Sequence, residues 1–116
     1  MNQLAPSVYQ VTTGEGVTIV ATPVGIPPEA VLASTEGQSL PNVDGATPTF
    51  QFSVNKPTGG AQIAQILVNF PALPGENPGA RLCRLTVSGS NGGQFNGPTI
   101  RESDPMHQIS LNFLVV

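Results

Sequence analysis

The sequence predicts an all-β protein, built as a single antiparallel β-sandwich of about eight short strands of the immunoglobulin-like or jelly-roll kind. Apolar and polar residues alternate with period two along many short segments, as in strands that bury one face. Twelve prolines and thirteen glycines separate these segments. Proline has no N–H for a β-ladder and glycine permits positive φ, so both end strands. Many short strands divided by such turns are typical of sandwiches.

The predicted strands differ in strength. In chain order they are 7–13, 17–22, 30–35, 49–54, 65–70, 81–87, 98–103 and 107–116. The first, third and seventh are weaker because their alternation is less regular. In four of the others the positions expected to face the core are Val17, Ile19 and Ala21; Phe50, Phe52 and Val54; Ile66, Val68 and Phe70; and Ile109, Leu111, Phe113 and Val115.

One segment fits a helical pattern as well as a strand. AQIAQILV, residues 61–68, fits one or two helical turns. It continues into Val-Asn-Phe-Pro, and the residue before a proline is biased away from helical geometry. We therefore expect a strand here.

The final segment, LNFLVV, is apolar on both faces because Leu114 and Val116 add to the inward positions. A strand in the middle of the sandwich would be buried in this way. A strand at a subunit interface would be buried in the same way, so the pattern leaves both explanations open.

The length of 116 residues indicates one domain, 1–116, which buries roughly 65% of its unfolded surface without disulfides or metals. The proline-rich stretch at 71–80 is expected to be a surface loop. It is not expected to be a domain boundary, because each half would be too small to bury a core.

Charge and hydropathy exclude two classes of partner. Only 9% of residues are charged, and the net charge is −3 with four basic residues. Nucleic-acid binding needs a basic stripe that this chain lacks. No apolar run approaches the ~20 residues of a membrane span, and the first ten residues do not resemble a secretory signal. A surface rich in uncharged polar residues suits packing in an assembly or work outside the cell.

Cys83 is the only cysteine and His107 the only histidine. Cys83 alternates with Arg84 in RLCRLTV and is expected to be a small core residue; the flanking arginines, Arg81 and Arg84, would point to the opposite face. A thiolate favoured by these arginines is the alternative. His107 would have to serve any histidine-based triad, but no G-x-S-x-G elbow accompanies it. No enzyme activity and no cofactor are predicted.

The glycine-rich segment TVSGSNGGQFNGPTI, residues 86–100, is interpreted as a hairpin. It lacks the lysine of a phosphate-binding P-loop, and a strand rather than a helix follows it. Asn91–Gly92 predicts a type I′ turn. Loops at the ends of sandwiches carry binding sites, and Gln94, Phe95 and Asn96 are the candidate contacts to a sugar or peptide.

Three carboxylates form the candidate metal site. Glu102 and Asp104 lie two residues apart, and with Asp44 they would offer oxygen ligands to calcium. No DxDxDG-type loop is present, so ordinary turn residues are the competing explanation.

The predicted function is that of a non-enzymatic structural or protein-interaction module in an oligomer or surface assembly, with a protein partner or a second copy as its ligand. The alternative is a lectin-like or calcium-dependent binding module that uses the loops at 36–46 and 89–97. A hydrolase centred on His107 is the third hypothesis.

Overall fold

A computed structural model describes residues 1–54, 62–71 and 81–116. Ten strands lie in this part of the chain, together with single 3₁₀ turns at Pro28–Ala30 and Pro105–His107. The strands are β1 (Asn2–Ala5), β2 (Val8–Val11), β3 (Gly16–Val24), β4 (Leu32–Thr35), β5 (Gln38–Leu40), β6 (Thr49–Ser53), β7 (Gln62–Asn69), β8 (Leu82–Gly89), β9 (Gln94–Arg101) and β10 (Gln108–Val115). The prediction of an all-β protein is confirmed.

The strands form two sheets. The large sheet has six strands in the order β1-β2-β10-β7-β4-β5, and the small sheet has four in the order β6-β3-β8-β9. Neighbours are antiparallel except for β2 and β10, which are parallel. None of the described residues belongs to a helix long and apolar enough to cross a membrane.

One apolar core lies between the sheets, because the inward positions of both contribute to it. Three aromatic rings connect the two layers. The ring of Phe113 on β10 stacks on Tyr9 of β2 at 5.4 Å and meets the ring of Phe52 of β6 edge-on at 5.3 Å. Of the positions predicted to face inward, only Phe52 and Ile109 are less than fully buried, and both still pack against the core.

The period-two pattern located eight strands and missed β1 and β5. All four side chains of β1 are exposed, so no alternation marks it. β5 is three residues long and lies in a segment that reads as a turn. The segment at 61–68 forms β7 from Gln62 onward, which confirms strand over helix. The predicted turn at 55–60 and, after Pro71, the predicted loop at 71–80 lie outside the described residues.

Strand β10 occupies the middle of the large sheet. It pairs with β2 on one side, Val8 lying opposite Asn112, and with β7 over its whole length on the other. Leu111, Phe113 and Val115 are completely buried. Of the two explanations left open for LNFLVV, the structure therefore shows a central position in the sheet. The expected burial of both faces is not seen, because Leu114 on the other face is half-buried and Val116 is 46% exposed.

The predicted hairpin joins β8 to β9, but its turn differs from the prediction. The Gly92 N–H bonds to the Gly89 carbonyl at 3.1 Å, so Ser90 and Asn91 occupy the central positions. Positive φ occurs at Gly92 (103°) and Gly93 (97°) and not at Asn91. The prediction of a type I′ turn at Asn91–Gly92 is therefore wrong. The two glycines instead supply the left-handed residues that return the chain after the turn.

Candidate functional site

The outer face of the large sheet is its side away from the core. Strand register and alternation place fifteen residues on it. They are Asn2, Ala5, Val8, Gln10, Leu32, Ser34, Ser39, Ile63, Gln65, Leu67, Asn69, Gln108, Ser110, Asn112 and Leu114. None is charged.

Apolar side chains lie at two places on this outer face, towards the opposite ends of β7. Ile63 is 62% exposed and Leu32 is 52% exposed. Leu114 lies opposite Ile63 in the register between β10 and β7, and Leu67 on β7 is half-buried nearby. Ile63 and Leu32 are therefore largely open to water, whereas Leu67 and Leu114 are half-buried.

Two polar side chains on the same face bond to each other. The Gln65 amide nitrogen donates to the Ser110 hydroxyl at 2.7 Å, across the β7–β10 pair. A polar group that already has a partner loses less on leaving water than an unpaired one does. The outer face therefore combines exposed apolar area with bonded polar groups whose removal from water costs little free energy.

The outer face of the small sheet is different in chemistry. Its strands present threonine and serine, and two exposed arginines, Arg84 and Arg101. Arg84 lies opposite Thr22 of β3 and Thr99 of β9, so the three residues form one row across the sheet. In the part of the chain that the structure describes, no carboxylate pairs with Arg84. The expectation that this arginine points away from Cys83 is confirmed.

The placement of Gln94, Phe95 and Asn96 in a binding loop is wrong, because these residues begin β9, an edge strand of the small sheet. Gln94 and Asn96 are exposed. The Phe95 ring is half-buried and lies 6.1 Å from the ring of Tyr9, so it packs against the core rather than standing free for a ligand to stack on. Asn96 borders a surface cavity beside Arg84. The role of the three residues in binding stays a prediction.

The predicted calcium ligands have other partners. The Asp104 carboxylate accepts a hydrogen bond from the Arg101 N–H at 2.6 Å and closes a turn. Glu102 is ion-paired with Arg81, and Asp44 lies in the loop between β5 and β6. No group of three or more histidine, cysteine or acidic side chains that could hold a metal ion occurs among the described residues. Calcium binding stays a prediction that the ion pair of Glu102 makes less favourable.

The position of Arg81 contradicts one expectation from the sequence. It is buried rather than pointing outward, because it precedes β8 and shares the inward side with Cys83. Its guanidinium binds Glu102 Oε1 through Nη2 at 2.5 Å and through Nε at 3.1 Å, and lies 5.7 Å from the centre of the Phe70 ring. The ring of His107 stacks on the same Phe70 at 5.0 Å. These contacts hold residues 101–107 against the residue that follows β7 and the residue that precedes β8.

Cys83 is completely buried, as the alternation of its strand predicts. Burial raises the pKa of its thiol to about 11, and a bond to the Thr22 backbone opposes this only in part. At pH 8 the thiol should therefore react with a disulfide reagent only when the protein opens. We expect labelling in native buffer to be slow and to accelerate with urea, whereas in concentrated guanidinium it should be immediate. Rapid, complete labelling of the native protein would contradict this burial.

A buried carboxylate joins two turns. Glu15 is 2% exposed and lies just before β3. It accepts hydrogen bonds from the Thr12 N–H at 3.0 Å, the Met1 ammonium at 3.2 Å and the Asn91 N–H at 3.3 Å. Burial alone would raise the pKa of this carboxyl, but these donors and the ammonium charge outweigh it and lower the pKa. The sequence gives no sign of this role, since TGEG reads as an ordinary exposed turn.

The chain was compared with protein-family models, curated proteins and solved structures, and none of the three comparisons gave a match.

Proposed function

We propose that the protein is a non-enzymatic β-sandwich module that binds a second copy of itself through the outer face of the large sheet, as a building unit of an oligomer or surface assembly. The uncharged, partly apolar outer face is the observation that carries the proposal. Protein–protein interfaces are depleted in charge at their centre, and exposed apolar patches rimmed by polar groups mark such contacts.

The lack of charge favours a second copy over an unlike partner. In a two-fold dimer each patch meets an identical patch, so any cluster of like charges would repel its own image. No residue of the outer face carries a charge, and the charged residues that the structure describes lie in turns, in loops or on the small sheet. An acidic or basic partner would find nothing complementary here.

The area of the outer face suits a dimer. The six strands together contain 31 residues, which at about 3.3 Å each along the strand and about 4.8 Å between strands cover roughly 500 Å² in flat projection. A standard interface buries about 800 Å² on each partner. Side-chain relief adds to the projected area, so a dimer interface of standard size would need the whole face.

For the finer fold, we propose the immunoglobulin-like kind of sandwich. The chain passes from one sheet to the other at six of its nine connections between consecutive strands, as Greek-key sandwiches do. A jelly roll divides eight strands between two sheets, which suits a six-and-four arrangement less well.

Light scattering after size exclusion tests the proposed association, with samples from about 1 μM to about 1 mM. We expect a dimer or larger species for the native protein. Ile63→Lys places a charge among the apolar side chains of the face, beside Leu114, and should give a monomer. Val43→Lys is the matched control, because Val43 is 55% exposed in the loop between β5 and β6, away from the face. It should leave the association intact.

A native protein that stays monomeric over this range would overturn the proposal and favour the ligand-binding alternative. Loss of association in both lysine variants would also count against it, because the effect would then not belong to this face. Circular dichroism of each variant shows whether it remains folded.

A further inference from the structure

The pairing of β8 with β9 is interrupted by a bulge. Arg84 lies opposite Thr99 and Thr86 opposite Asn96, so Leu85 between them faces two residues, Gly97 and Pro98. An extra residue on one strand bends that strand locally. Proline fits such a place on an edge strand, since its missing N–H breaks no regular ladder.

Gly97 allows the two strands to stay close at the bulge. A Cβ atom at this position would lie 3.2 Å from both the Cβ and the carbonyl oxygen of Leu85. This is closer than side chains normally pack, so a larger residue would push β9 away from β8. The glycine therefore allows β9 to stay close to β8 at the bulge.

A surface cavity of about 360 Å³ lies at this bulge. Its polar lining comes from Thr22, Arg84, Thr86, Asn96 and Thr99, that is, from β3, β8 and β9. The volume is at the lower end of the range for small-molecule sites, which is about 300–1,000 Å³. A ligand the size of one sugar ring would fit within it.

The chemistry of this lining is specific. Arg84 supplies the only charge, and it has no carboxylate partner among the described residues. A guanidinium binds a carboxylate through two parallel hydrogen bonds. Three threonine hydroxyls and one carboxamide surround it, and both groups donate to and accept from hydroxyls. No aromatic ring lines the cavity, so stacking on a neutral sugar has no platform.

We propose that this cavity binds a small hydroxylated carboxylate of the uronic-acid class, with Arg84 holding the carboxylate and the threonines and Asn96 holding the hydroxyls. The site lies on the small sheet, so the proposal does not depend on self-association through the large sheet. It gives Asn96 a role in a site that the sequence pattern alone could not assemble.

Titration of the ¹⁵N-labelled protein with glucuronate, followed by NMR, tests the proposal. Chemical-shift changes should concentrate at residues 22, 84–86 and 96–99. Glucose, which has the same ring without the carboxylate, and acetate, which lacks the hydroxyls, should each bind at least about tenfold more weakly. Added salt should weaken binding of glucuronate, because the contact with Arg84 is ionic.

Two variants separate a specific site from general attraction of an anion. Arg84→Gln should reduce the affinity for glucuronate about tenfold or more. Arg101→Gln is the matched control, an exposed arginine on β9 outside the cavity, and should change the affinity less than twofold. Both replace exposed side chains, and the NMR spectrum itself reports whether the fold is kept.

Each contrary result overturns a defined part of the proposal. Absence of localised shifts at millimolar glucuronate would remove the site. Equal weakening in both arginine variants would reduce the effect to net charge. Equal affinity for acetate would remove the hydroxyl contacts, as would a Thr99→Val variant that binds glucuronate as well as the native protein.

Discussion

Replacement of Phe113 by alanine is expected to lower the free energy of unfolding by about 3–5 kcal/mol. The Phe113 ring is completely buried and contacts Tyr9 within the large sheet and Phe52 across the core. Its removal leaves a cavity between the layers and takes away both aromatic contacts. Domains of this size are stable by only about 5–15 kcal/mol in total, so this single change removes a large part of the stability.

Equilibrium unfolding in urea, monitored by circular dichroism, measures the loss. Phe95→Ala is the matched control, because the Phe95 ring packs on the same Tyr9 but is half-buried at the edge of the small sheet. It should cost clearly less than Phe113→Ala. Equal losses would mean that the two layers do not depend on the Phe113 ring in the way described.

Replacement of Glu15 by glutamine is expected to lower the free energy of unfolding at pH 7 by about 2–3 kcal/mol. The two carboxylate oxygens accept bonds from the backbone N–H groups of Thr12 and Asn91 and from the Met1 ammonium. An amide offers only one accepting oxygen. Its NH₂ group would face one of these donors. The NH₂ group and that donor would then both be buried without a hydrogen-bond partner.

The effect of this substitution should depend on pH. The pKa of Glu15 in the folded protein is below its usual value of 4.5. The carboxylate therefore stabilises the fold fully above the unfolded pKa, and this contribution is lost as the pH falls through the folded pKa. The difference between native protein and Glu15→Gln should be largest near neutral pH and should shrink in acid.

Unfolding curves at a series of pH values measure this difference. Glu29→Gln serves as the control, since Glu29 is exposed in a 3₁₀ turn and should show little effect at any pH. A difference between native protein and Glu15→Gln that stays constant down to strongly acid pH would contradict a lowered pKa at Glu15.

Local alternation was enough to predict the core, because a half-buried strand must place its apolar residues every second position. Val17, Ile19 and Phe50 were identified in this way, and all are buried. Strand β1 escaped prediction because all its side chains meet water. The hairpin was predicted, but its turn type depends on which residues take positive φ, and Asn91 is permitted either choice.

The candidate sites needed information that no local pattern carries. The pairing of Leu114 with Ile63 depends on the register of two strands far apart in the chain. The row of Thr22, Arg84 and Thr99 depends on strand order in the small sheet. Glu15 meets Asn91 from 76 positions away. Only the Gly-Pro pair at 97–98 was a local signal, since this pair inside a strand suggests a bulge.

The central place of β10 also has a consequence for the order of events during synthesis. β2 and β7 belong to one sheet only through β10, which follows both in the chain, and Val8 must find Asn112 across nearly the whole sequence. Contacts of such long range slow folding. Until residues 108–115 leave the ribosome, β2 and β7 each present an unpaired edge, the kind of surface on which nascent chains aggregate. Completion of the large sheet is therefore a late step. Before that step, the rest of the chain or a chaperone must protect these edges.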